Sequence, residues 1–205
     1  MNFYERHILP HLVALVMDNP TARELRPRVV GDLRGEVLEL GFGAGLNLPF
    51  YGEGTERIHI IDPDQTGRDK AAQRIADSPA QVVDAGLDGA RIDLPDASMD
   101  HVVCTWTLCT IPQVEAALLE VKRVLKPGGS FRFVEHSRHP EPSVAAWQDR
   151  LNPLWMPFAG GCHLNRPIVE LIRGAGLEPV SLEEFDQRSW PRIASWTALG
   201  TARKA

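Results

Sequence analysis

The 205 residues contain no run of about 18 apolar side chains, which excludes a transmembrane helix. The opening residues, Met1-Asn2-Phe3-Tyr4-Glu5-Arg6, lack the apolar core of a secretory signal, so a cytoplasmic protein is expected. Basic charge is sparse. No basic run exceeds two residues (Arg203-Lys204 is one), and 22 Lys and Arg against 27 Asp and Glu leave a formal charge of −5. A nucleic-acid-binding surface needs a basic stripe, and none is present. The three cysteines, Cys104, Cys109 and Cys162, are odd in number and not in paired metal spacing. That predicts neither a disulfide framework nor a zinc site, and no metal is expected. Internal repeats, linkers and low-complexity segments are absent as well. What remains is ordinary for a soluble globular chain, 43% apolar and 24% charged, long enough for one domain with a full core.

The most informative stretch is Val37-Leu38-Glu39-Leu40-Gly41-Phe42-Gly43-Ala44-Gly45. An apolar strand carries one acid, Glu39, and runs into three glycines spaced by two. Glycines let the backbone turn tightly and approach a ligand closely. A second apolar run, Ile58-His59-Ile60-Ile61, ends in Asp62, where two carboxylate oxygens can accept both hydroxyls of a ribose. Asp64 is near enough to compete for that role, and an acid before Pro63 also suits a plain turn. The layout implies a nucleoside-containing cofactor. A dinucleotide fingerprint would require a third glycine where Leu46 stands, so a pyrophosphate is not indicated.

Short apolar strands are expected at 36–40, 58–61, 80–83, 101–106 and 130–135, with two more at about 177–186 and 195–202. Helical segments lie between them, from Asp64 to Ala76 and from Gln113 to Leu125. The second stops at the turn signal Lys126-Pro127-Gly128-Gly129. Residues 3 to 30 read as helical, with Ile8, Leu12, Leu15 and Val16 on one stripe expected to pack on the domain. Alternating strands and helices predict an α/β fold, a doubly wound, mostly parallel sheet whose ligand crevice lies beyond the carboxyl ends of its strands. The whole chain, 1–205, is expected to be one domain. Residues 1–35 form its N-terminal helical segment, and residues 137–166 an aromatic-rich insert with Trp147, Trp155, Met156 and Phe158. A last helix is expected at about 165 to 174, capped near Gly174-Ala175-Gly176.

The Glu-x-Gly-x-Gly-x-Gly pattern, with its acid-tipped second strand, resembles the first motif of class I S-adenosylmethionine methyltransferases. The resemblance implies a Rossmann-like sheet of seven strands, the last antiparallel, and S-adenosyl-L-methionine as cofactor. A narrower resemblance lies downstream. Val102-Val103-Cys104-Thr105, Leu108-Cys109, Glu135-His136, Trp147, Pro153-Leu154-Trp155 and Gly161-Cys162-His163-Leu164-Asn165-Arg166 resemble the microsomal alkyl thiol methyltransferases and their bacterial relatives. It covers about residues 36 to 202. Those microsomal proteins carry an apolar N-terminal anchor, and membrane attachment is not expected here.

The resemblance implies roles residue by residue. The cofactor is expected against Glu39, Gly41, Gly43, Gly45 and Asn47 in the first block, and against Asp62, Pro63 and Thr105 at later strand tips. Its adenine ring is expected at Asp84-Ala85, although a polar loop alone accounts for those two. Trp106, Cys109, His136, Trp147, Cys162 and Arg166 are expected around a small apolar acceptor, most simply a thiol. An O- or C-methyltransferase on a lipid or quinone-like acceptor, or a cofactor-binding protein without activity, would fit the same motifs. His136, at a strand's carboxyl end, is the candidate general base, and a packed or orienting histidine is the alternative. Cys162 and Arg166 could equally brace the insert. No enzyme nucleophile is assigned, because methyl transfer from a sulfonium needs none.

Overall fold

The computed structural model describes residues 9–187 and 190–204. Two helices open the described chain, α1 (Leu9–Met17) and α2 (Pro20–Val30). The continuous helix expected over 3 to 30 is broken at Asn19, whose side chain caps α2 by accepting from the Ala22 N–H at 2.9 Å. Pro20 follows at the first helical position, where its missing N–H costs nothing. Ile8 lies outside the described residues. Leu12, Leu15 and Val16 are exposed instead of packed into the core.

Seven strands form one sheet: β1 (Gly35–Leu40), β2 (Thr55–Ile61), β3 (Gln81–Gly86), β4 (Met99–Thr105), β5 (Leu125–His136), β6 (Leu177–Asp186) and β7 (Trp196–Lys204). Their order is β3-β2-β1-β4-β5-β7-β6, with β7 antiparallel to both its neighbours. This is the doubly wound sheet with an antiparallel last strand that the motifs implied. The order reverses between β1 and β4, where such sheets open a ligand crevice. Between the strands stand α3 (Gln65–Ala76), α4 (Val114–Val124), α5 (Pro142–Trp155), α6 (Ile168–Gly174) and the short α7 (Arg192–Ser195).

Strand alternation divides the core. Leu38, Val102, Phe131 and Phe133 face α4 and α6, while Val37, Ile58, Val103 and Val134 face α2 and the segment around Leu48 and Tyr51. Helix α4 buries Val114, Ala117, Leu118, Val121 and Val124, spaced three and four apart as one helical face requires. Its end runs straight into β5. The Lys126-Pro127-Gly128-Gly129 turn becomes a bulge within that strand, where the pairing slips between Met99–Leu125 and His101–Ser130.

Candidate active site

The strand tips open into a cleft of about 1020 Å³, lined from β1, β2, β4 and β5, the loop after β3, the insert and helix α1. A smaller hollow at the opposite end of the sheet, beside Arg34, Asp100 and Lys126, lies away from these tips.

On the β1–β2 side, Asp62 organises the glycine loop. One carboxylate oxygen accepts from the Gly43 N–H at 2.6 Å and the other from the Asp64 N–H at 2.7 Å. Burial raises the Asp62 pKa, and these two amides oppose the rise. Asp64 caps α3 by accepting from the Thr66 N–H at 2.9 Å, so the two acids divide the loop between them. The glycines differ in purpose. Gly41 leaves room for Thr107, whose Oγ1 would stand 2.0 Å from an added Cβ. Gly45 packs beneath Phe42, Leu48 and Ala71, away from the cleft. Gly43 has φ +53° and faces open space, with nothing within 4 Å of an added Cβ. A ligand can therefore approach the backbone at Gly43, as the cofactor expectation requires.

Glu39 is buried at the cleft wall. It accepts from Asn47 Nδ2 at 2.9 Å and from the Tyr51 hydroxyl at 2.7 Å. Burial pushes its pKa up to about 7 against those hydrogen bonds and the charge of Arg26. Asn47 sits behind Glu39, bonding also to Thr105 Oγ1 at 3.1 Å, and does not line the cleft. It takes the Arg26 guanidinium at 2.6 Å. Arg26 went unnoticed in the sequence because it is one of several arginines on α2 and far from any motif. Folding brings it into the cleft wall, over the Trp106 ring at 5.1 Å, with its pKa lowered to about 10 by burial.

Two of the expected contact positions do not line the cleft in this structure. Strand β3 continues to Gly86, past the expected end at residue 83, so Asp84 still lies within it. Asp84 pairs with Arg68, and Leu87, Asp88 and Gly89 reach the cleft in place of Asp84 and Ala85. Trp147 is 55% exposed on α5, with Arg150 over its ring at 5.6 Å, and takes no part in the cleft; Trp155 does. The two tryptophans stand eight residues apart on α5, about 12 Å along a helix and about 80° around it, and only the one nearer the C-terminal end reaches the cleft.

On the β4–β5 side, Thr105 ends β4 and Trp106 follows it. Trp106 adopts φ +50°, a strained value for a non-glycine residue, while its N–H donates to the Val134 carbonyl at 2.8 Å. Its buried Nε1 has no partner among the described residues. Glu135 holds the next loop by accepting from the Thr107 and Leu108 N–H groups at 2.8 and 3.1 Å. Arg166 clamps the same loop, donating to the carbonyls of Leu108 and of Ile111, the latter at 2.7 Å. In this structure it braces the loop and does not line the cleft.

That clamped loop brings Cys109 to His136 and Cys162. The Cys162 sulfur lies 2.9 Å from His136 Nε2, and its thiol points to Cys109 Sγ at 3.6 Å. The backbone locks the arrangement, because the His163 N–H donates to the Cys109 carbonyl at 2.9 Å. All three side chains line the cleft. Burial pulls the His136 pKa down, but the Cys162 contact and the Glu135 charge carry it above its ordinary value. The Cys109 contact and burial hold the Cys162 thiol far above the usual range. Three separate elements contribute this cluster, so sequence spacing could not reveal it.

Comparison with known proteins finds methyltransferases. Residues 38–133 match a family described as "Methyltransferase domain". Thiol S-methyltransferase TMT1B of Rattus norvegicus is 37% identical over 165 residues, 75% of this chain and 66% of that protein. This chain thus spans just under two thirds of that relative. Among solved structures, the trans-methyltransferase CalH in complex with SAH aligns with a TM-score of 0.62 at 20% identity, covering 90% of this chain and 55% of that one. The [4+2]-cyclase SpnF aligns at 0.69, also at 20% identity, covering 90% and 80%. That pair shows the fold, and shows as well that the fold alone does not name a reaction.

Proposed function

We propose that this chain, which belongs to the class I S-adenosylmethionine-dependent methyltransferases, methylates the sulfur of a small apolar thiol. The observation that carries the reading is the cleft itself. Its β1–β2 side offers a glycine backbone and a ribose-suited acid. Its β4–β5 side gathers Cys109, His136 and Cys162 beside Trp155 and Phe158.

When bound, the cofactor supplies an electrophilic methyl on a sulfonium. The residues around it fit that group. Asp62 would face the ribose, the Gly43 backbone would admit the nucleoside, and the loop Leu87-Asp88-Gly89 would take the adenine side. Arg26 would hold the amino acid's carboxylate, and Glu39, held from behind by Asn47, would face its amine. The acceptor enters under the insert, where Trp155, Phe158 and the exposed apolar residues of α1 form a dry rim. Most catalysis is positioning and exclusion of water. His136 Nε2, at the cleft wall, would take the proton of an acceptor thiol and leave it as the thiolate. A net charge of −5 without a basic stripe suits a cytoplasmic enzyme working on small molecules rather than nucleic acid.

An acceptor screen tests the reading. Thiols, catechols and quinols are offered with the cofactor, and formation of S-adenosylhomocysteine is followed. Turnover with apolar thiols is expected. Turnover confined to catechols or quinols moves the function to O- or C-methylation. Tight cofactor binding with no turnover on any acceptor would make this a binding protein.

A further inference from the structure

We infer that Cys109, His136 and Cys162 form a site for a thiophilic divalent cation of the zinc type, with its fourth coordination position open to the cleft. Their ligating atoms all lie within 4.8 Å of one another. Tetrahedral zinc with bonds of about 2.3 Å to sulfur and about 2.0 Å to nitrogen places two sulfurs about 3.8 Å apart and a sulfur and nitrogen about 3.5 Å apart. The two sulfurs already stand at 3.6 Å, and the Cys162–His136 contact of 2.9 Å needs to open by roughly half an ångström. Two sulfurs and an imidazole are a donor set that selects zinc over magnesium or calcium.

The supports are rigid, as a metal site requires. His136 is the last residue of β5. Cys109 sits on a loop held by Glu135 from below and by Arg166 from the side. Cys162 is tied to that loop through the His163 amide and the Cys109 carbonyl. Three protein ligands with one open position is the arrangement of reactive zinc sites, whereas structural sites close with four. Cys104 does not complete the set, being fully buried in the core cluster on β4.

The open position has a use, and this part rests on the thiol reading above. An acceptor thiol binds there as thiolate, releasing its proton to solvent. Its sulfur then forms a bond to the methyl carbon while the carbon–sulfonium bond breaks. The breaking bond's electron pair stays on the departing sulfur, giving neutral S-adenosylhomocysteine. The new thioether carries no charge and is a weaker ligand, so it leaves. In the loaded protein His136 is a ligand, and the cation replaces it in activating the thiol.

Metal-stripped, reduced protein is titrated with Co²⁺. One equivalent is expected to bind with a sulfur-to-cobalt charge-transfer band and the visible bands of a tetrahedral ion, both abolished by Zn²⁺. Cys109→Ser and Cys162→Ser should each lose the charge-transfer band's full strength, while Cys104→Ala keeps it. Titration with S-adenosylhomocysteine reports whether each variant is folded. Should the serine variants fail to fold, alkylation of the wild-type protein decides, since Zn²⁺ must protect Cys109 and Cys162 together. No band in the wild-type protein, a band unchanged in both serine variants, or no protection by Zn²⁺ overturns the site. Thiol methylation by a protein that binds no metal sinks this inference and spares the proposed function. Metal binding without methylation of any thiol spares the site and sinks the use assigned to its fourth position.

Discussion

Gly43→Ala separates a ligand-facing glycine from a packing glycine. At Gly43 an added Cβ meets no protein atom within 4 Å, so the protein itself loses little. The cost in stability is the left-handed backbone at φ +53°, about 1–2 kcal/mol for a residue with a Cβ. In a domain of this size that lowers the melting temperature by about 2–8 °C. The methyl would stand where the nucleoside approaches. An intruding methyl in a packed contact costs about 1–3 kcal/mol, or about 5- to 150-fold in dissociation constant. Gly41→Ala is the counterpart. Its Cβ would stand 2.0 Å from Thr107 Oγ1, and Thr107 is pinned through its N–H to Glu135 at 2.8 Å. It should melt well below Gly43→Ala. Calorimetric titration with S-adenosylhomocysteine, beside thermal melting, measures both effects. If Gly43→Ala binds within about twofold of wild type, the cofactor does not lie on this backbone and the argument from the open Cβ position is wrong.

Other expectations follow from the same wall of the cleft. Glu39 has a folded pKa of about 7 against an ordinary 4.5, so its contribution to stability is full below about pH 4.5 and is lost as pH rises to about 7. That loss is about 3 kcal/mol. Glu39→Gln should therefore gain on wild type between pH 5 and pH 8 in denaturant melts, and an equal difference at both pH values refutes the buried-charge penalty. Arg26→Gln should weaken S-adenosylhomocysteine by about tenfold or more, the worth of a charge-assisted hydrogen bond. It should leave methylthioadenosine, which lacks the amino-acid group, unaffected; equal losses for both ligands would remove Arg26 from the carboxylate. Trp155→Ala should raise the acceptor's KM with cofactor affinity intact, while Trp147→Ala, an exposed position, should change neither kinetics nor stability by more than about 0.5 kcal/mol. Reversed results would return the acceptor contact to Trp147.

The strands, the glycine loop and Asp62 were legible in the sequence because each is a local pattern. An apolar run makes a strand covered on both faces, glycines mark where the chain must turn, and an acid at a strand tip has one place to go. Local pattern also identified His136 at a strand end. It did not tell which glycine serves the ligand, because Gly41 and Gly43 differ only in what the β4 loop places against them. Nor did it locate the end of β3, where three further residues of strand set Leu87-Asp88-Gly89, and not Asp84-Ala85, against the cleft. That Trp155 lines the cleft while Trp147 is exposed depended on how α5 docks. Arg26 entered the site from a helix that precedes every motif. The Cys109–His136–Cys162 cluster is the clearest case. Its members are 27 and 26 residues apart, so their spacing resembles no metal motif, and the sequence argued against a metal. Their approach was decided by the parallel order that sets β4 beside β5, and by Glu135, Arg166 and His163, which fold two loops onto one strand end. Periodicity and turn chemistry act over a few residues and can be read along the chain, whereas a site assembled from three elements exists only once the tertiary structure has brought them together.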